Sequence, residues 1–306
     1  MNIAHVSMTP IAGAAWSWAE AFKEAGFDSF SCTPERYNDG RSVPTHRKYP
    51  PVGDDLIAVQ SADVIFAHQG HPYKAEWYPH DVPTVAIYHS QPSHVLRGPE
   101  MDGWPTGVVG QYQTRLYAGL PPVPNLIPLK HSWYQPAGKS LDRIRIAFSP
   151  SNTTMAGWDA KGYTETKRDL DKLDADVDVV TGVSLAECLR RKADAHVVID
   201  ECVTGSYHRN SLEGLALAGA VVNDCDGQCS SNIRRMTFSP DHPFWTTDLA
   251  GLWRILNAFI ARGPTQLVEW GNRSRRWMDD YWNPATLIKQ NFVPLIDKAM
   301  EKAATC

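Results

Sequence analysis

Residues 197–224, VVIDECVTGSYHRNSLEGLALAGAVVND, constrain this chain more than any other stretch. Val197, Val198 and Ile199 form a short apolar run with the character of a buried strand. Gly205, Ser206, Tyr207, His208, Arg209 and Asn210 make a polar turn containing a glycine. From Ser211 onward, Leu212, Leu215 and Ala216 recur at helical spacing and stop at Gly219. Ala220, Val221 and Val222 then read as the next buried strand. Strand, loop, helix, glycine and strand together are a βαβ unit, whose loop opens onto the positive end of a helix. Backbone N–H groups at such an end suit a phosphate, and Glu213, one turn inside, is placed to accept sugar hydroxyls beside it. An ordinary helix start fits the same spacing, with Asn210 or Ser211 as cap and Glu213 completing the first turn.

The remaining chain repeats this alternation. Strands are expected at 3–7, 63–67, 84–88 and 107–110, and again at 144–148 and 177–180. Helices are expected at 16–24, 163–173, 184–192, 249–261, 264–281 and 284–303, with Ser184 capping one of them. Residues 33–52, rich in Pro, Gly and Arg, read as a long irregular loop, and a loop rich in Ser, Asp and Cys runs to about Phe238. A length of 306 residues exceeds what one core usually supports, so two domains are expected. The proline-rich passage 121–128 approaches the boundary, and the linker runs through 135–142. The expectation is therefore α/β: two Rossmann-like, doubly wound domains facing a cleft.

Composition excludes several classes. No run approaches the ~18 apolar residues of a membrane span. The start, MNIAHVSMTP, enters a strand pattern without a signal-type core, so a cytoplasmic protein is expected. The six cysteines are scattered, and Cys225 and Cys229 alone lack the paired spacing of a zinc site, so no metal is expected. The net charge of −4 gives no global attraction to nucleic acid, although basic patches occur at 36–48 and 273–276. No GxGxxG follows any strand, which disfavours a dinucleotide oxidoreductase.

The candidate chemistry lies at strand ends. Gly13 and Ala14 follow the first strand and let a ligand approach the backbone closely. His68 and His89 end their strands, where open parallel sheets bind ligands, although such histidines often only bond neighbouring backbone. A diphosphate at the 205–212 loop needs a cation, and Lys161, before Gly162, is the best candidate.

These residues carry a resemblance. FSPSN, then KG, then IDECVTGSYHRNSLEGLALAGAVV resemble, in order and spacing, the donor domain of GT-B-fold glycosyltransferases of the retaining, family-4-like group. IAHVSMTPIAGAAW resembles that group's first strand and glycine loop, and WMDDYWNPATLIKQ resembles its closing helices. ADVIFAH and VPNLIPL match weaker landmarks between them.

The resemblance implies an acceptor-side domain at 1–138, a nucleotide-sugar donor domain at 139–283, and a helix at 284–306 returning to the first domain. It implies that Glu213 holds the nucleotide ribose and that Gly205, Ser206, Tyr207, Asn210, Ser211 and Leu212 receive the diphosphate, with Lys161 as cationic partner. Ser151 and Asn152 occupy the region where relatives place an arginine. Gly13 and Ala14 approach the donor phosphates, and His89 falls near the transferred sugar. The group's first motif glutamate falls on Gly205, leaving Glu201 or Asp200 as the nearest carboxylate.

The implied activity is transfer from a UDP- or GDP-sugar to an acceptor hydroxyl, with retention and with no cofactor or metal. The acceptor is open among small molecules, glycans, lipid carriers and a hydroxylated DNA base. For DNA, Arg36, Arg41, Arg47 and Lys48 would track phosphates, and Trp77 or Trp104 would hold a displaced base. The other reading is a non-catalytic nucleotide-sugar binder.

Overall fold

The computed structural model describes residues 1–35, 42–69, 75–95, 103–150 and 161–305. Its chain divides into two compact units, Met1–Pro128 with Asn283–Cys306, and Leu129–Trp282.

The first unit is built on a six-stranded parallel sheet. Its strands are β1 (Asn2–Ser7), β2 (Asp28–Cys32), β3 (Val64–His68), β4 (Thr84–Tyr88), β5 (Thr106–Val109) and β6 (Pro122–Val123), in the order β2-β1-β3-β4-β5-β6. Nearly every residue of β1, β3 and β4 is buried, as strands covered on both faces require. Helix α1 (Ala14–Glu24) lays Trp18, Ala21 and Phe22 against the sheet, and α2 (Asp54–Gln60) begins with two aspartates that complement its dipole.

The chain's last two helices belong to this unit. Phe292 packs edge-on against Trp18 and Phe66, with centroids at 4.9 and 6.0 Å, and also lies 5.8 Å from Phe22. Burial of Leu287, Ile288, Leu295 and Ile296 completes the docking, so the carboxy-terminal stretch crosses back to the amino-terminal domain. The single helix expected at 284–303 is two: α8 (Pro284–Asn291) and α9 (Val293–Thr305). Pro294 lacks a backbone N–H and is compatible only with a helix's first turn, so the break falls just before it.

The second unit holds a five-stranded parallel sheet of β7 (Arg145–Phe148), β8 (Asp176–Val179), β9 (Val197–Ile199), β10 (Ala220–Asn223) and β11 (Trp245–Thr246), ordered β11-β10-β9-β7-β8. Around it stand α3 (Tyr163–Leu170), α4 (Leu185–Ala193), α5 (Arg209–Ala216), α6 (Gly227–Thr237) and α7 (Leu249–Tyr281). Ser184 caps α4 as expected, accepting the Glu187 N–H at 3.3 Å. The kink at Gly263, before Pro264, divides α7 where two helices were expected.

Helix α6 replaces the loop expected up to Phe238. The Asp226 carboxylate caps it through the Gln228 and Cys229 N–H groups, at 3.1 and 3.0 Å, and Cys229, Ile233 and Met236 form its buried face. Cysteine is as buried as an aliphatic residue here, and reading it as polar hides the helical period.

Helix α7 approaches the α5–β10 turn so closely that a methyl group on Gly271 would fall on the Ala218 carbonyl oxygen. Gly271→Ala is expected to destabilise the fold by about 3 kcal/mol or more, measured by chemical denaturation. Gly227→Ala, with nothing near its added carbon, is the control and should stay within about 1 kcal/mol. Equal stability of the two variants would refute this packing.

Candidate active site

In the second unit, the carboxyl end of β9 runs through residues 200–208 into α5. Asp200 closes this turn. Its Oδ2 accepts the His208 N–H at 2.6 Å and the Ser211 hydroxyl at 2.7 Å. Asn223 on β10 donates to Ser211 Oγ at 2.8 Å, which ties the next strand to the same network. Glu201 Oε2 accepts the Val203 and Thr204 N–H groups at 2.8 and 3.0 Å, and Oε1 accepts the Thr204 hydroxyl. Gly205 lies at φ +66° and donates its N–H to Asp224 at 2.9 Å. Its left-handed backbone is what the turn needs from a residue without a side chain.

His208, which the sequence reading did not single out, stands between the two carboxylates, Nδ1 being 3.6 Å from Asp200 and 3.4 Å from Glu201. Burial pushes the Asp200 carboxyl up, but His208, Lys161 and the Ser211 hydroxyl outweigh it. Together they hold the carboxyl well below the usual carboxylate range.

Lys161 is brought to this loop. It precedes Gly162, which starts α3 and is so hemmed in by Val203 and Leu249 that an added carbon would lie 2.9 Å from each. The loop and the start of α3 are thus locked together, with the Lys161 charge acting on Asp200.

Glu213 is buried and held from both sides. Lys192 donates to Oε2 at 2.6 Å and Arg209 Nε to Oε1 at 2.9 Å, and Arg209 also donates to the Tyr134 hydroxyl at 2.8 Å. Each carboxylate oxygen has more than one lone pair, so each can accept a further hydroxyl. Arg209 was legible as the i, i+4 neighbour of Glu213 on one helix face, whereas Lys192 lies on α4 without a local signal.

The other loop residues serve the turn itself. Asn210 donates to the Ile199 carbonyl at 2.9 Å, and Ser206 to the Tyr207 carbonyl at 2.9 Å. The Tyr207 ring is fully buried and stacked on Phe244 at 5.6 Å, and the Leu212 side chain is core. Ser151 and Asn152 lie outside the described residues.

In the first unit, β1 leads through a tight turn to α1. Ala12 (φ 51°) and Gly13 (φ 73°) have left-handed backbones, Gly13 donates to the Pro10 carbonyl at 2.8 Å, and Gly13 and Ala14 are buried.

His89 follows β4 and joins a hydrogen-bonded row of three imidazoles. His5 Nδ1 lies 3.1 Å from His68 Nε2, and His68 Nδ1 lies 2.8 Å from His89 Nε2. Strand register explains the row. His5 pairs with Phe66, His68 is two residues further on, and Ile87 pairs with His68, so His89 returns to the same sheet face. Burial, with His46 adding to it, pushes the His5 pKa down to about 3; burial and the flanking rings push His68 well below its ordinary value.

Three of the expected DNA contacts are engaged within the first unit. Arg47 pairs with Asp55 at 3.1 Å and lies over Phe30, while Trp77 and Trp104 pack on the hydrophobic cluster around Tyr78. Arg36 and Arg41 lie outside the described residues. Among the described residues, no group of three or more His, Cys, Asp or Glu side chains is arranged to hold a metal ion, and no helix is long and apolar enough to cross a membrane.

No family model matches the chain, and no curated protein matches it by sequence. Solved structures do match. AviGT4, a glycosyltransferase involved in avilamycin A biosynthesis, is similar with a TM-score of 0.58 and 13% identity, over 99% of this chain and 98% of that one. HepE from Anabaena, solved with UDP and glucose, gives a TM-score of 0.55 and 13% identity over 100% of both chains. The sucrose-phosphate synthase of Thermosynechococcus elongatus gives 0.54 and 12% identity, over 98% of this chain and 100% of that one. The chain has the GT-B glycosyltransferase fold.

Asp200 supplies a test of the turn. Its pKa is depressed on folding, so its stabilising effect is present above the ordinary value of 3.8 and is lost as pH falls toward the folded value. Asp200→Asn is expected to cost about 1–3 kcal/mol at neutral pH. The gap to wild type should narrow progressively below pH 3.8 in denaturation series. A gap independent of pH would show that the carboxylate charge does not hold this turn.

Proposed function

We propose that this protein transfers a glycosyl group from a nucleoside-diphosphate sugar to an acceptor hydroxyl, with retention and without a metal ion. The observation that carries the reading is Lys161, held beside the 200–208 loop at the start of α5, within a fold common to solved glycosyltransferases. The donor is a UDP- or GDP-sugar. HepE, solved with UDP and glucose, supports that class.

In this mechanism the bond from the anomeric carbon to the donor's β-phosphate oxygen breaks and its electron pair stays on the diphosphate. The acceptor oxygen forms the new glycosidic bond on the same face, and its proton passes to the departing phosphate. Negative charge grows on the diphosphate, and Lys161 with the positive end of α5 stabilises it. Asp200 and Glu201 already lie at this end, so Lys161 has to offset their charge as well as the phosphate's. Glu213 receives the ribose hydroxyls through its remaining lone pairs, while Lys192 and Arg209 fix its orientation.

Glu213→Ala would strand two buried cations and destabilise the fold, so its loss of activity would not isolate a donor contact. Lys161 is the cleaner probe. Wild type should show a higher melting temperature with UDP or GDP and slow hydrolysis of one matching sugar nucleotide. Lys161→Ala should remain folded without ligand, giving up only the part of the Asp200 charge balance that Lys161 supplies, and lose at least about tenfold in hydrolysis or transfer, on the order of 1.4 kcal/mol of transition-state stabilisation. Nucleotide binding without hydrolysis in wild type would favour the non-catalytic binder, and unaltered kinetics in Lys161→Ala would remove that residue from the site.

A further inference from the structure

We propose that His5 and His68 are positioning residues that fix His89 as the tautomer carrying its proton on Nδ1, so that this nitrogen is a hydrogen-bond donor and not a base. The inference starts at the closed end of the row. His5 is fully buried, stacked on Phe66 at 5.0 Å and steeply inclined to the rings of Trp18 and Phe22. Its Nε2 is buried with no hydrogen-bond partner. A neutral imidazole has one N–H and one lone pair. An N–H directed into this apolar surrounding would be a stranded donor, whereas a bare lone pair there is the less costly choice. His5 therefore carries its proton on Nδ1.

The rest of the row follows by directionality. His5 Nδ1–H donates to His68 Nε2, which must be bare, so the His68 proton is on Nδ1. His68 Nδ1–H donates to His89 Nε2, which must also be bare. The remaining proton of His89 is then on Nδ1. Reversing the row requires His89 Nε2–H to donate to His68 and His68 Nε2–H to donate to His5, which forces the stranded N–H on His5. An imidazolium at His89 meets the same obstacle, since its Nε2–H would face the His68 donor. Neither His5 nor His68 has a carboxylate partner among the described residues to stabilise a charged form, and the charge acting on His5 from outside the row is that of His46.

The rings are also held against rotation. Trp18 stands edge-on to His68 at 5.1 Å and tilted over His89 at 5.4 Å, and its indole N–H is anchored on Asn125 Oδ1 at 3.1 Å. The His89 backbone is clamped by Gln69, which accepts its N–H at 3.0 Å, and by Gln113, which donates to its carbonyl at 2.9 Å. The group that Nδ1–H serves must supply an oxygen lone pair.

The test is long-range ¹H–¹⁵N correlation spectroscopy of the full chain labelled with ¹⁵N-histidine, which separates bare from protonated ring nitrogens. Signals are assigned by their disappearance in His5→Phe, His68→Phe and His89→Gln. In wild type near neutral pH, His89 should show a protonated Nδ1 and a bare Nε2. In His68→Phe, which removes the donor to Nε2, His89 should become a mixture of both tautomers. A wild-type His89 protonated on Nε2 or on both nitrogens overturns the proposal, as does a His68→Phe spectrum that leaves His89 unchanged. His89→Gln alters a partly exposed position, so the wild-type reading decides even if the buried His68→Phe chain does not fold. The spectrum is taken without nucleotide, so absence of glycosyl transfer would refute the proposed activity while leaving the tautomer result standing.

Discussion

The carboxylate of Asp200 joins the end of a strand, the start of a helix and a neighbouring strand through one oxygen. It accepts from the His208 backbone and the Ser211 hydroxyl, and Asn223 reaches the same hydroxyl from β10. The geometry of the loop, the left-handed Gly205 and the entry of α5 follow from this closure. The arrangement has an electrostatic side. A helix start that attracts anions already has an internal anion bound to it, with Glu201 next in sequence. In the proposed reaction a phosphate arriving there meets Lys161 against two carboxylates, so the balance of those charges counts beside the helix dipole.

Much of this was legible from residues. Continuous apolar runs such as 64–67 and 84–88 marked parallel strands buried on both faces, and the glycine ends marked their helices. The runs that went unread were those whose signal was weak or mixed. β2, Asp28–Cys32, alternates serines with Phe30 and Cys32, yet its serines are buried, and the Ser31 hydroxyl lies 2.8 Å from His46 Nδ1 of the following loop. Helix α6 was hidden by the cysteine on its inner face, and the division of the last helix needed weight to be given to Pro294.

The candidate site was legible as a set of positions and not as a set of contacts. Spacing brought out Lys161, Glu213 and the loop between β9 and α5. No spacing in the sequence reveals that Lys192, from another helix, occupies one side of the Glu213 carboxylate. The imidazole row likewise joins residues 63 and 21 positions apart. It becomes visible only once strand order β1-β3-β4 and the register Ile87–His68 and Phe66–His5 are known. Pairing of distant strands converts isolated histidines into one connected group.

Trp18 links that group to a segment distant in sequence. One side of its ring borders His68 and His89, and Phe292 from the last helices seats against it. During synthesis on the ribosome, the first six strands emerge long before Phe292 is made. The wall beside the histidines is therefore completed only after Phe292 has left the exit tunnel. Until then Trp18 borders His68 and His89 without the Phe292 ring against it, so this end of the sheet depends on residues made long after its strands.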